Sequence, residues 1–192
     1  MILFVMGLAA FLGLHSIAIV APQWRARQVA RLGEGRWKGT YSLLAALGLA
    51  LLIVGYGLAR RDPVVLYQPP SALRHGALLL MLPVFPLLFA AYLPGRIQAT
   101  VKHPMLLAVK LWATAHLLAN GTLLDVFLFG SFLLWAVADR ISVKRRSLGQ
   151  GDGRQCLHAA RNDTIAVVAG LAVYGAVVAF GHRWLIGVPP LG

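Results

Sequence analysis

Residues 40–58 read TYSLLAALGLALLIVGYGL, a stretch without one charged side chain. Coiled as an α-helix at 1.5 Å per residue it spans about 28 Å, close to the ~30 Å hydrocarbon thickness of a bilayer. Outward from it, residues 1–21, 72–92, 103–120, 122–139 and 163–181 are apolar runs of comparable length, with ends uncertain by about two to four residues. The reading is all-α: a polytopic membrane helix bundle of six transmembrane helices. Across the whole chain 59% of the 192 residues are hydrophobic and 12% charged, a balance that water would not keep dissolved as a monomeric domain. The connections are too short to hold a separate soluble domain, so residues 1–192 are expected to form a single transmembrane domain. The first run has no basic leader and is followed by Arg25, Arg27, Arg31, Arg36 and Lys38, which predicts a retained span rather than a cleaved signal peptide.

The net charge of +12 raises the question of nucleic acid, and its placement answers it. Segments 22–39, 93–103 and 140–162 hold Arg25, Arg27, Arg31, Arg36, Lys38, Arg96, Lys102, Arg140, Lys144, Arg145, Arg146, Arg154 and Arg161. Segments 59–74 and 182–192 hold only Arg60, Arg61, Arg74 and Arg183. The positive-inside rule then puts the first group in the cytoplasm and both N- and C-termini on the periplasmic side, as an even number of spans requires. The basic loops are expected to face an anionic leaflet; the partner is the lipid bilayer and not nucleic acid. The lone Cys156 falls in the 140–162 loop and has no internal disulfide partner. Pro83 and Pro86 predict a kink in the third span, Asn120-Gly121 predicts a tight turn between the fourth and fifth, and 144–162 reads as a mobile loop.

Ionisable side chains at membrane depth are expensive, so function is sought among them. His15 lies deep in the first span and Lys110 and His116 in the fourth, while His75 and His103 stand at span starts. In the six-span topology the first and fourth helices are antiparallel, and side chains lean toward their own helix N-terminus, so His15 and His116 both lean toward the bilayer middle. Their main-chain depths differ by about 9 Å by helix rise, which two imidazoles on opposite faces of a tilted porphyrin would accommodate. Either one could instead be an ordinary hydrogen-bonded packing residue. On the helix of His116, Trp112 and Asn120 share its face at four-residue spacing, as an aromatic neighbour and a polar support. Lys110 either pairs with a propionate or snorkels to the interface. His103, followed by Pro104, is either an interfacial cap or part of the site. No cysteine-based haem attachment motif is present, so haem b would be held non-covalently. None of the six acidic residues lies deep in a span, which disfavours a proton-relay transporter. Phosphate-cradling, zinc-protease and nucleophile-elbow motifs are absent.

Lys102-His103-Pro104-Met105, Lys110-Leu111-Trp112 and Ala115-His116-Leu117-Leu118-Ala119-Asn120-Gly121, with Gly13-Leu14-His15-Ser16 and Gly35-Arg36 through Tyr41, resemble the signature of the NnrU-like membrane family. The resemblance covers about residues 1–146, with the 163–181 span as an addition. It implies a protein of the bacterial inner membrane linked to denitrification and nitric oxide metabolism, with denitrification enzymes or a lipid-soluble substrate as partners. The family is similar to the 15-cis-zeta-carotene isomerase, and that likeness implies haem b with His15 and His116 as axial metal ligands. Lys110, Trp112, Asn120 and His103 would then surround the cofactor. A redox or gas-responsive haem protein is thus the first expectation. The alternatives are a haem-dependent cis–trans isomerase of a carotenoid-like lipid, and a membrane methyltransferase suggested by His103-Pro104, in a chain that has Lys102 where such enzymes carry Arg.

Overall fold

The computed structural model describes residues 1–146, 159–188 and 190, all of them helical or in the connections between helices apart from one isolated bridge, Val65 to Thr122. Along the chain run α1 (Ile2–Val20), α2 (Pro22–Leu32), α3 (Glu34–Ala59), α4 (Ser71–Met81), α5 (Val84–Ala90), α6 (Arg96–Val101), α7 (Pro104–Ala119), α8 (Leu123–Arg146) and α9 (Ala159–Ala176). From α9 a π-helical turn, Val177–Gly181, leads into α10 (His182–Ile186).

Among the described residues, five helical stretches are long and apolar enough to cross a membrane: Ile2–Val20, Glu34–Ala59, Ser71–Ala90, Leu123–Arg146 and Ala159–Ile186. The expected fourth span is instead a shorter apolar helix. With 16 residues, α7 rises about 24 Å. Both its ends are fixed by local chemistry: Pro104 stands in its first turn, and Asn120 leaves helical geometry at φ −122°, ψ 139°. Outward faces carry exposed Leu43, Leu47, Ile53, Leu79, Leu134 and Phe180, side chains that lipid solvates and water does not. The chain is a multi-pass membrane protein.

Two boundaries depart from the sequence reading. Residues 22–32, expected as loop, form α2: Pro22 occupies its first turn and Gly33, at φ +79°, ends it. Its Ala26, Val29 and Ala30 fall on one side while Arg27 and Arg31 point away, the pattern of a helix lying along an interface. The fifth span continues past 139 to Arg146, because three basic residues suit the negative end of the helix dipole. The third span breaks at Pro83 into α4 and α5, as its prolines predict. The Cys156 reading and most of the 144–162 loop lie outside the described residues.

Close approach of backbones organises the bundle. Helices α1 and α3 run antiparallel, and a methyl group at Gly7 would meet the Leu52 backbone, as one at Gly55 would meet that of Phe4. Only glycine permits this approach, which in lipid replaces the hydrophobic effect as the reason for two helices to associate. Phe4, Leu52 and Leu124 form a buried cluster there, so α8 joins the pair. On the other side α7 packs on α8, α4 and α5, and α9 packs on α5 where Gly170 meets Pro86. Asp163 of α9 accepts hydrogen bonds from the Arg96 and Ile97 amides at 3.0 and 3.2 Å, capping α6. The helix order that matters for function is α1–α8–α7: α8 touches both neighbours, whereas α1 and α7 barely meet.

Candidate functional site

Because α8 separates α1 from α7, the two flanking helices stand as walls above its surface. That surface carries Phe129, Phe132 and Trp135 at three-residue spacing, one aromatic stripe along one face. The α1 wall presents Phe11 and His15: Phe11 lies 5.7 Å from Phe132, and His15 meets Trp135 edge-on at 5.9 Å, ring centre to ring centre. The α7 wall presents Trp112 and His116. Trp112 meets Phe129 at 5.0 Å and Phe132 at 5.4 Å, and His116 stacks on Phe129 at 4.5 Å. The two histidines singled out from the sequence both touch the aromatic stripe of α8, His15 at Trp135 and His116 at Phe129, and are joined through those rings rather than by direct contact.

Both imidazoles are oriented in the same way. Nδ1 of His15 lies 2.7 Å from the Phe11 carbonyl and Nδ1 of His116 2.8 Å from the Trp112 carbonyl. A carbonyl only accepts, so each Nδ1 is the protonated nitrogen, and each Nε2 keeps its lone pair free for an electrophile or a metal. Around His15, Phe11 packs at 4.2 Å and Tyr41 of α3 at 5.5 Å. Around His116, Trp112 is the aromatic neighbour at 5.3 Å. Asn120 does not reach the imidazole: its side-chain amide donates to the His116 carbonyl at 3.0 Å. The support for the His116 ring is the Trp112 carbonyl.

A cavity of about 1180 Å³ opens beside His15 and runs to one end of the bundle. Its walls include Leu14, Ile17, Val29, Tyr41, Leu106 and Trp135, with α2 along one side, and its mouth carries Arg25, Lys38, Lys102 and Arg146. The space exceeds the roughly 300–1,000 Å³ of ordinary small-molecule sites. His103 and Met105, at the start of α7, line it too, whereas Lys110, Trp112, His116 and Asn120 do not. Phe129 and Trp112 lie over His116 and close the cleft short of it.

The cations at the mouth are not equivalent. Lys38 pairs with Glu34 at 2.7 Å, and Arg146 reaches Asp139 at 3.6 Å and the Ala18 carbonyl at 2.9 Å. Arg25 and Lys102 have no ion pair among the described residues. One polar atom within the walls is also unmatched among the described residues: the indole Nε1 of Trp135 is buried without a hydrogen-bond acceptor there, which costs about 1–3 kcal/mol where nothing accepts from it.

These donors fit a haem better than a bare metal ion. Among the described residues no three His, Cys, Asp or Glu side chains converge as a cage, whereas two imidazoles with aromatic rings between them, and an apolar cavity beside His15 lined at one end by cations, suit a flat, apolar, dianionic macrocycle. Trp135, Tyr41, Phe11, Phe132 and Arg25 escaped the sequence reading. The one signal available was the aromatic stripe at 129, 132 and 135.

No curated protein and no solved structure matches the chain. The family described as NnrU protein matches residues 3–190, extending beyond the 1–146 resemblance through the last membrane helix. In the fold that last helix is an integral part, docked on α5 and capping α6. The chain belongs to the NnrU protein family.

Proposed function

We propose that this protein holds a b-type haem non-covalently between His15 and His116, in a bacterial inner membrane. Its spans, six once α7 is counted, would leave both termini in the periplasm. The observation that carries the reading is the matched pair of imidazoles on the two helices flanking α8, each with Nδ1 committed to the carbonyl four residues earlier on its own helix and each packed on the α8 aromatic stripe. Held by these two residues, haem would supply an iron centre able to carry an electron or to bind a diatomic gas.

The protein's own contribution is orientation and dryness. The Phe11 and Trp112 carbonyls set the tilt and tautomer of each ring, raising its donor strength. Phe129 and Phe132 keep water from the interval between the walls. The two sites differ in confinement: His15 borders an open cavity, and His116 is stacked beneath Phe129 and Trp112. His15 is thus the side on which a ligand would leave and another arrive, which suits a redox or gas-responsive factor in nitric oxide metabolism. The test is absorption of detergent-purified protein expressed with ample haem. A Soret band that His15→Ala and His116→Ala each abolish or shift supports the pair; a colourless wild type, or unchanged haem content in both variants, overturns it.

A further inference from the structure

The mouth of the cavity carries an asymmetry that the two histidines do not use. Four cations ring it, yet Lys38 is matched by Glu34, and Arg146 by Asp139 and a helix end. The two without an ion pair among the described residues, Arg25 and Lys102, come from α2 and from the turn before α7. Below them the walls turn apolar, with Leu14, Ile17, Val29 and Leu106. A guest that fits has an apolar body and anionic groups at one edge.

Lys102 carries a second, independent mark. It is the one non-glycine at positive φ among the described residues, at +64°. The His103 amide donates to the Val101 carbonyl at 2.8 Å, so Lys102 is the middle of a γ-turn of the rare, strained hand. Such a conformation persists only where surrounding structure enforces it, and it recurs at ligand clamps. Here the turn carries the chain from α6 into α7 and sets Lys102 on the rim. Lys110, which the sequence left between a propionate partner and a snorkelling lysine, does not line this cavity.

We propose that Arg25 and Lys102 form the seat for the paired carboxylates of the tetrapyrrole, fixing the direction in which it enters the cleft; this rests on the haem reading above. Each cation gains a charge-assisted hydrogen bond at the rim, worth about tenfold in affinity.

The experiment titrates the full-length, haem-free protein in detergent with ferric haem b and, separately, with its dimethyl ester, which keeps the macrocycle and loses both negative charges. Soret absorbance reads the binding. Wild type is expected to bind the diacid more tightly than the ester. The Arg25→Gln/Lys102→Gln variant should lose about a hundredfold for the diacid and nothing for the ester, and Arg25→Lys/Lys102→Arg should recover most of the loss. Circular dichroism checks that each variant keeps its helices. Equal diacid affinity in wild type and the Gln variant, or an ester bound as tightly as the diacid by wild type, overturns the seat while leaving the haem reading intact. A folded wild type that binds neither compound overturns both. Native mass spectrometry supplies one more outcome: phosphatidylglycerol shed by the Gln variant alone, with haem affinity unchanged, would give the seat to a lipid headgroup and overturn the proposal.

Discussion

The two ends of this bundle are built on opposite principles. At the end opposite the cavity, polar groups are matched to one another. Tyr56 donates to Asp125 at 2.5 Å, and Asp125, 5% exposed, also accepts from the Thr122 hydroxyl at 2.6 Å and amide at 3.3 Å. The loop at 64–67 is bonded to the turn at 121–123 through Leu66, Tyr67 and Leu123, and the Tyr67 hydroxyl donates to the Leu117 and Asn120 carbonyls. Arg60 reaches the Ile186 carbonyl at 2.8 Å, tying the end of α3 to α10. At the basic end a cavity and a strained turn stand with two cations and an indole N–H that have no partner among the described residues. One end is spent on holding the helices, and the other keeps its interactions in reserve for a guest.

The sharpest way to attack that contrast is at the closed end. Gly55→Leu drives a side chain into the Phe4 backbone and should cost about 3 kcal/mol, read as a large fall in Tm; an unchanged melting curve would mean that α1 and α3 do not approach as described. Next, Asp125→Ala removes the acceptor for Tyr56 and Thr122 at once and should cost about 2 kcal/mol, with Tyr56→Phe recovering part of it in the double variant. At the open end the sign reverses. Lys102→Gly releases the γ-turn strain and should raise stability of the haem-free protein by about 1 kcal/mol; a lower Tm would show that the turn is unstrained. Smallest is Trp135→Phe, which deletes an unmatched donor and keeps a ring: stability of the haem-free protein should rise by less than about 1 kcal/mol. A clear loss of stability there would show that the N–H is already satisfied.

The same division separates what could be read from the sequence from what could not. Apolar run length located five helices of membrane-spanning length and the shorter α7, and Pro83 located the break between α4 and α5, because both are local properties of the chain. The basic rim was also legible, since charge placement follows the membrane rather than the packing. Helix α2 was missed: its short amphipathic pattern looks like a charged loop until Pro22 and Gly33 are read as its boundaries. His15 and His116 were singled out by depth, and the fold adds that α8 lies between their helices, which no single-helix periodicity contains. Lys110 was singled out because depth along a helix was known and direction was not. Only the turn geometry places Lys102 at the cavity.

Asp163 capping α6 has a consequence for how the chain could be assembled. The last helix is recognised by α5 and α6, from the middle of the sequence, through Gly170 against Pro86 and a carboxylate on two amides. Docking specificity is therefore written outside the peptide joining α8 to α9. Two separately translated pieces, residues 1–146 and 159–192, should find each other in the membrane and co-purify. Asp163→Ala in the shorter piece should weaken that capture.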